Sequence, residues 1–365
     1  MEEHEAEEFP YRSPDKCKNR KIMFIIIIVF FGLLLIGFIL VFVVFPLVFM
    51  NSITLQQTLV FTRWNLLTNK TAYKKFRFPA YKQHYVEVED LGNKPKLNIG
   101  IWHVLPIDLA MEALVTGNID YDKALKDSKY DVLLYFHGTG EDRTQNIRKY
   151  QIFRLFFHII AFDYRGYGDS DEGDMFEKNI INDCSQIYRW LQNRTNSSIY
   201  IWGHSLGTSI SVSTIKDLGS TANISGLVLE SAFTTFKNEL YHHPYVKYFT
   251  WLPWFQQTVV NPLHKNGFIF DTASAILNVS CPILFLHAKD DSIVPYFMSQ
   301  KLYKISRKRN VDESIINDTR LILFDKALNL DHYKIYQDSY TVFFMMEFFK
   351  IKHSKEKMIQ SSHQS

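Results

Sequence analysis

The stretch Ile199-Tyr-Ile-Trp-Gly-His-Ser-Leu-Gly-Thr208 decides the fold of this 365-residue chain. Its β-branched and aromatic residues predict a short buried strand, and the pattern Gly-x-Ser-x-Gly at Gly203–Gly207 follows directly. The segment Leu206–Leu218 then suits a helix. A strand, a sharp turn carrying a serine and a helix form a nucleophile elbow, in which glycines let the turn pass close to its neighbours. The sequence therefore predicts Ser205 as a nucleophile.

Short apolar runs alternate with helical segments on both sides of this turn. That alternation predicts an α/β fold, with a mostly parallel, eight-stranded sheet covered by helices on both faces. The first strands lack intervening helices, so we expect an antiparallel edge. Strands are expected at Tyr85–Val88, Leu97–Val104, Asp131–Phe136, Ile159–Asp163, Ile199–Trp202, Leu227–Leu229, Pro282–His287 and Leu321–Phe324. Helices are expected at Phe176–Gln192, Leu206–Leu218, Val294–Ile305 and Asp338–Ile351.

A serine nucleophile needs a histidine base, and the histidine needs a carboxylate that fixes its tautomer. After a nucleophile elbow, the chain order is serine, acid, histidine. Asp290 and Asp291 compete for the acid, since both follow the strand Pro282–His287. Asp291 is favoured because it stands four residues before Pro295, which leaves Asp290 as a solvated turn acid. His332 follows the last strand and precedes the final helix, so we expect it to be the base.

An oxyanion hole needs backbone N–H donors beside the nucleophile. The run His137-Gly138-Thr139-Gly140 follows the strand Asp131–Phe136, where such a loop is expected. The predicted donors are the N–H groups of Thr139 and Leu206. His137 is expected to brace the loop rather than to react.

Composition excludes several other classes of protein. The chain is 47% hydrophobic and 22% charged, which is typical of a folded domain. Its 41 basic and 38 acidic residues nearly balance, so we expect no nucleic-acid partner. Three cysteines exclude a disulfide framework and a four-cysteine zinc site. There is no P-loop, full dinucleotide fingerprint or His-Glu-x-x-His motif, so we expect no cofactor and no metal.

Residues 22–50 contain no charge and predict one transmembrane helix. A helix of that length reaches about 43 Å, against a hydrocarbon core of about 30 Å. A cleaved signal peptide is the alternative, but the apolar run is long for one. The basic residues before the run are Lys16, Lys18, Arg20 and Lys21, and the first after it is Arg63. The positive-inside rule therefore predicts a cytosolic N-terminus and a lumenal catalytic domain.

Six Asn-x-Ser/Thr patterns follow the apolar run and predict a glycosylated, lumenal domain. They are at Asn69, Asn193, Asn196, Asn223, Asn278 and Asn317. Three of them, Asn196, Asn223 and Asn278, fall shortly before predicted strands, whereas the predicted catalytic residues follow strands. We therefore expect glycans on the face opposite the active site.

The chain is expected to divide into five parts. An insert at about 233–275 holds 11 aromatic residues between Phe233 and Phe270, and its position suits a cap. The expected parts are a cytosolic tail at 1–21, the transmembrane helix at 22–50, a juxtamembrane connector at 51–80, a hydrolase domain at 81–352 and a C-terminal tail at 353–365.

Four stretches resemble the α/β-hydrolase superfamily and, within it, the membrane lysophosphatidylserine and monoacylglycerol lipase branch (α/β-hydrolase domain-containing protein twelve). They are Ile199–Thr208, Phe162–Ser170, Gly100–His103 and Ser280–Pro282 with His287-Ala288. The resemblance implies an α/β-hydrolase fold and the triad Ser205, Asp291 and His332. It also implies hydrolysis of carboxylic esters of single-chain lipids in the endoplasmic reticulum membrane.

The leading hypothesis is therefore a membrane-anchored serine hydrolase acting on lysophosphatidylserine-type lysophospholipids and monoacylglycerols. Its expected partners are membrane lipid substrates and the bilayer, which it contacts through residues 22–50. Two alternatives stay open. A membrane-tethered serine peptidase would use the same triad, and a hydrolase fold can also serve as a non-catalytic binding protein.

Overall fold

The computed structural model describes residues 15–63, 78–92, 94–126 and 129–349. These residues belong to two compact units, which meet in the sequence between Ser52 and Ile53. Residues 1–14 of the predicted tail, the predicted sequon at Asn69 and the predicted C-terminal tail lie outside the described residues.

The first unit contains a long apolar helix. An α-helix at Asp15–Ile39 continues through a π-helical turn at Leu40–Val44 into a second α-helix at Phe45–Asn51. The wide turn directly precedes Pro46, which has no N–H and crowds the carbonyl four residues earlier, so the wider winding relieves a clash. Within the described residues, Lys18–Asn51 is the one helix long and apolar enough to cross a membrane, and its most apolar stretch of 18 residues has a mean hydropathy of 3.4. This suggests a single-pass membrane protein.

The second unit is built on a sheet of eight strands, as predicted. The order across the described part of the sheet is β1-β2-β4-β3-β5-β6-β7-β8. The strands are β1 Tyr81–Val88, β2 Leu97–Val104, β3 Asp131–Phe136, β4 Phe157–Phe162, β5 Ile199–His204, β6 Ile224–Glu230, β7 Ile283–Ala288 and β8 Arg320–Phe324. Strand β2 pairs antiparallel with β1 and β4, and the remaining pairs are parallel. The predicted antiparallel edge is therefore confirmed.

Helices connect the parallel strands. The helix predicted to begin at Val294 begins at Phe297, because the loop before it is occupied in binding Asp291, as described below. The helices at 107–116, 121–126 and 147–153 were not predicted. The α-helices in the described part of this unit are Ile53–Val60, Ile107–Thr116, Tyr121–Lys126, Ile147–Phe153, Glu177–Gln192, Leu206–Leu218, Phe236–His242, Asn261–Lys265, Thr272–Ala275, Phe297–Ser306, Glu313–Asn317 and Ser339–Phe348.

The core lies around the central strands. Every residue of β4 and β7 is buried, as is every residue of β3 after the first. Strands buried on both faces read as continuous apolar runs, which is why they were recognisable in the sequence. Because neighbouring strands from β4 to β8 run parallel, their carboxyl ends meet at one edge of the sheet, where ligands bind in open α/β sheets.

Residues 231–282 form an insert between β6 and β7. It contains a π-helical turn at Gln256–Val260 and short helices. Some of its aromatic side chains are buried, among them Phe233, Phe255 and Phe270. Others are largely exposed. The aromatic residues of this segment therefore form part of its core and part of its surface.

Candidate active site

Ser205 lies in a strained turn between β5 and the helix Leu206–Leu218. Its backbone has φ 52° and ψ −119°, a region that residues with a side chain rarely adopt. Its N–H donates to the carbonyl of Glu230 at 2.9 Å, which ties the turn to β6. A Cβ on Gly207 would come within 2.2 Å of the carbonyl oxygen of Phe136. The elbow predicted from the sequence is therefore formed, with the glycine that its close approach requires.

Asp291 and His332 are in direct contact at the same edge of the sheet. The Nδ1 of His332 lies 2.8 Å from Oδ2 of Asp291, and the His287 imidazole approaches the same oxygen at 3.1 Å. The other oxygen, Oδ1, accepts the N–H groups of Ile293 and Val294 at 2.9 and 2.8 Å. Burial raises the pKa of Asp291, but His332 and His287 outweigh it and hold the pKa well below the ordinary value. The carboxylate is therefore ionised and fully hydrogen-bonded.

Asp290, the competing acid, has a different set of contacts. Its Oδ2 accepts the N–H of Asp331 at 3.0 Å, and the carboxylate of Asp331 accepts the N–H of Ser292 at 2.8 Å. The expectation that Asp290 is merely a solvated turn acid was wrong. It fastens the loop after β7 to the loop after β8, next to the Asp291–His332 pair.

Ser205 and His332 both lie at this edge, with 8% and 1% of their surface exposed. Within the described residues, the Ser205 hydroxyl forms no hydrogen bond to the His332 imidazole. Such bonds are often long in ligand-free enzymes and tighten only around substrate. The two loops are joined instead through His204, whose Nε2 lies 3.0 Å from the main-chain oxygen of His332.

The loop after β3 adjoins Ser205. A Cβ on Gly138 would lie 3.1 Å from the Cβ of Ser205. Among the described residues, neither the Thr139 N–H nor the Leu206 N–H donates to another protein group. The Leu206 N–H also opens a helix, where the helix dipole favours negative charge. The assignment of these two amides to an oxyanion hole stays a prediction, and the geometry is compatible with it.

His137 packs inside this loop. Its Nδ1 donates to the carbonyl of Gly138 at 2.8 Å, and the Tyr164 hydroxyl donates to the His137 carbonyl at 2.9 Å. Its ring lies 4.2 Å from the Tyr164 ring, measured between centroids, and burial lowers its pKa. These contacts fit the expected bracing role.

A buried charged cluster that includes His204, the residue before Ser205, was not predicted. Glu141 accepts the N–H of Gly138 at 2.8 Å and lies 3.1 Å from the Nδ1 of His204. Beside them, the Lys149 ammonium pairs with Glu230 at 3.0 Å. Among the described residues, no group of three or more His, Cys, Asp or Glu is arranged to hold a metal ion. The only sequence signal was the histidine inside Gly203–Gly207, and nothing in the sequence pointed to Glu141 as its partner.

The helix Ile53–Val60 was also missed, because its residues were interpreted only as a connector. The structure packs this segment against the predicted oxyanion loop. The Thr139 hydroxyl donates to the carbonyl of Val60 at 3.0 Å, and the Gly140 N–H donates to the carbonyl of Thr62 at 2.7 Å. The Arg63 guanidinium donates to the carbonyl of Gly166 at 2.7 Å. Residues 53–63 are thus an integral part of the second unit.

Comparison with known proteins agrees with this geometry. The family described as "Serine aminopeptidase, S33" matches residues 128–268. A lysophosphatidylserine lipase ABHD12 from Danio rerio is 31% identical over 70% of this chain and 68% of that relative. The same protein from Xenopus tropicalis is 32% identical over 66% of this chain and 63% of its own length. Protein ABHD12B from Homo sapiens is 31% identical over 64% of each chain. The matched region thus spans about two thirds of these relatives.

Among solved structures, an esterase from Pyrococcus furiosus is similar in fold. Its TM-score is 0.53 at 16% sequence identity, and the match covers 79% of this chain and 96% of the esterase. At that identity the likeness shows the fold alone. It is an α/β-hydrolase fold, in agreement with the prediction from the sequence.

Proposed function

Because the chain belongs to the ABHD12 family of α/β-hydrolases, we propose that it is a membrane-anchored serine hydrolase that cleaves carboxylic esters of single-chain lipids. The proposed substrates are lysophosphatidylserine-type lysophospholipids and monoacylglycerols. The names of the relatives from Danio rerio and Xenopus tropicalis support this substrate class. The observation that carries the proposal is the 2.8 Å contact of His332 with an ionised Asp291, at the sheet edge where the Ser205 elbow lies.

In the first half of the proposed reaction, the Ser205 oxygen attacks the acyl carbonyl carbon and His332 takes the hydroxyl proton on Nε2. The Nδ1–H of His332 points to Asp291, which fixes the tautomer and stabilises the imidazolium that forms. The N–H groups of Thr139 and Leu206 bind the oxyanion. The ester C–O bond then breaks, and His332 returns the proton to the departing alcohol.

In the second half, water attacks the acyl-enzyme. His332 takes a proton from the water and gives it back to Ser205 as the fatty acid leaves. The elbow geometry favours both halves equally, because the strained backbone holds Ser205 in place without rearrangement.

The proposed topology places the N-terminus in the cytosol and the catalytic domain in the lumen, in the endoplasmic reticulum membrane. The basic residues before the apolar helix support this orientation. So do the sequon asparagines, since all five described ones are exposed: Asn193, Asn196, Asn223, Asn278 and Asn317.

A lipid-panel assay on the purified full-length chain tests the proposal. The panel holds lysophosphatidylserine, other lysophospholipids, monoacylglycerols, diacyl lipids and a peptide amide. We expect release of fatty acid from the single-chain esters, abolished in Ser205→Ala and retained in Ser220→Ala, a matched change of an exposed serine that follows the helix Leu206–Leu218. Cleavage of the peptide amide alone would favour the peptidase alternative, and turnover undiminished in Ser205→Ala would reject both enzyme hypotheses.

A further inference from the structure

Residues 243–255 of the insert wind in three-residue turns. The N–H groups of Val246, Phe249, Leu252 and Phe255 each donate to the carbonyl three residues earlier, at 2.8–3.1 Å. With three residues per turn, side chains at positions i and i+3 lie on the same side. The segment therefore presents two distinct rows of side chains.

One row turns into the domain and the other points outward. In the first row Phe249 is still 42% exposed, whereas Leu252 and Phe255 are 8% and 3% exposed and anchor the segment to the domain. Tyr245, Tyr248 and Trp251 are 81%, 69% and 76% exposed. We call these three residues the aromatic ridge. These three large aromatic side chains form one exposed patch on successive turns. A patch of this kind is typical of a surface that binds a partner.

We propose that the aromatic ridge docks the hydrolase domain on the surface of a lipid bilayer. Tyrosine and tryptophan favour the boundary between water and hydrocarbon, because their rings are apolar and carry a polar group. The Trp251 indole N–H donates to the carbonyl of Tyr248 at 2.8 Å, and the Lys247 ammonium lies 5.2 Å from the Tyr248 ring centroid. The ridge thus combines aromatic surface with a cation.

Charge favours a bilayer over a basic protein partner. Between His242 and Leu252 there is one lysine and no acidic residue. An anionic lipid surface attracts such a segment. The chain also carries its own apolar helix of membrane-spanning length, and the hydrolase unit begins at Ile53, one residue after the other unit ends. If that helix spans a membrane, the hydrolase unit is tethered next to a bilayer.

The ridge begins beside His243, whose ring lies 5.6 Å from the Tyr245 ring, measured between centroids. Burial lowers the pKa of His243, and the neighbouring His332 lowers it further. Docking by the ridge therefore brings the mouth of the site to the surface that holds single-chain lipids. This last step rests on the proposed function, whereas the docking itself does not.

Fluorescence quenching tests the docking directly. The full-length chain is reconstituted into vesicles of phosphatidylcholine and phosphatidylserine, with and without brominated acyl chains, which quench only tryptophan in contact with them. The difference in emission between the wild type and Trp251→Phe reports Trp251 alone. We expect this difference signal to be quenched by the brominated lipid. An unquenched signal overturns the proposal, whatever the enzymatic activity of the chain.

Kinetics provide the second test. In Tyr245→Ser/Tyr248→Ser/Trp251→Ser, we expect hydrolysis of vesicle-embedded monoacylglycerol to fall about tenfold, since interfacial binding scales with the buried apolar area. Hydrolysis of a water-soluble short-chain ester and labelling by a fluorophosphonate are expected to stay unchanged. The matched control is Tyr340→Ser/Phe343→Ser, which removes aromatics that are 66% and 57% exposed on the last helix.

Other outcomes would overturn the docking proposal in identifiable ways. An equal effect of the control variant would make the loss unspecific. A smaller assembly of the ridge variant in detergent would assign the ridge to a contact between two copies of the chain. A wild-type chain that hydrolyses neither ester would remove the proposed function and leave the quenching result to decide the docking.

Discussion

The Nε2 of His204 lies 3.0 Å from the main-chain oxygen of His332. On the other side of the ring, Nδ1 lies 3.1 Å from a carboxylate oxygen of Glu141. Both partners accept hydrogen bonds, so each ring nitrogen must carry a proton and His204 is an imidazolium. Burial and Lys149 lower the pKa of His204, but Glu141 and Glu230 raise it more, so the net shift is upward. His204 therefore holds the His332 loop through a charged bridge.

Replacing His204 tests this bridge. We expect His204→Gln to lower kcat about a hundredfold with little change in KM, because a displacement of the base of about 1 Å costs that much. Because the pKa of His204 is raised, both hydrogen bonds of its imidazolium are present at low pH. One of them is lost when the pH rises above that pKa and the ring loses a proton. The alkaline decline of kcat that this causes is expected to vanish in His204→Gln, and to move to lower pH in Glu141→Gln. Identical pH profiles for all three proteins would refute the bridging role.

The two neighbouring aspartates, Asp290 and Asp291, are expected to have separable roles. We expect Asp291→Asn to lower kcat by about 10⁴, because the amide favours the wrong tautomer of His332. Asp290→Asn retains an oxygen for the Asp331 N–H, so we expect at most about a tenfold loss. Steady-state kinetics on a soluble ester distinguish the two variants. If Asp290→Asn lowered kcat more than Asp291→Asn, Asp290 would be the acid that orients His332.

Glu239 is expected to make the domain less stable at neutral pH. It is 8% exposed, and burial, followed by repulsion from Asp291, raises its pKa to about 8 from 4.5. The folded state keeps this proton between those values whereas the unfolded state loses it, so stability falls as pH rises from 4.5 to 8. We expect Glu239→Gln to stabilise the domain at pH 7.5 by on the order of 1–3 kcal/mol and to have no such effect at pH 4.5. Thermal unfolding in detergent at both pH values measures this, and equal shifts would contradict the explanation.

Glycans are expected at one edge of the sheet. The described sequon asparagines Asn193, Asn196, Asn223, Asn278 and Asn317 all lie in segments leading into the amino ends of β5 to β8. The proposed catalytic residues follow the carboxyl ends of these strands, so occupied sites leave the active site open. Glycosidase treatment and mass spectrometry of protein from a secretory-pathway host are expected to find modified sites among these five. A protein carrying no glycan there would contradict the lumenal topology.

The sheet could be predicted because the residues within each strand and turn are sufficient to indicate its structure. Strands β4 and β7 are apolar apart from one histidine each, His158 and His287, and Gly203–Gly207 carries the elbow within five residues. The predicted ends of helices were less accurate. The helix expected from Val294 starts at Phe297, because the N–H groups of Ile293 and Val294 donate to Asp291.

The supporting contacts of the site could not be predicted, since they join distant parts of the chain. Thr139 and Val60 are 79 residues apart, Glu141 and His204 are 63, and His204 and His332 are 128. Nothing in a residue's immediate surroundings marks such a partner. The choice of Asp291 depended on its spacing to Pro295, and the structure supplies the physical reason in the two amides that its carboxylate accepts.

The most direct measurement of the central claim is labelling of the full-length chain with a fluorophosphonate, followed by mapping of the adduct by mass spectrometry. The account predicts one phosphonylated residue, Ser205, with labelling abolished in Ser205→Ala and slowed at least about a thousandfold in His332→Ala. An adduct on another serine, or labelling of Ser205→Ala at the wild-type rate, would contradict it.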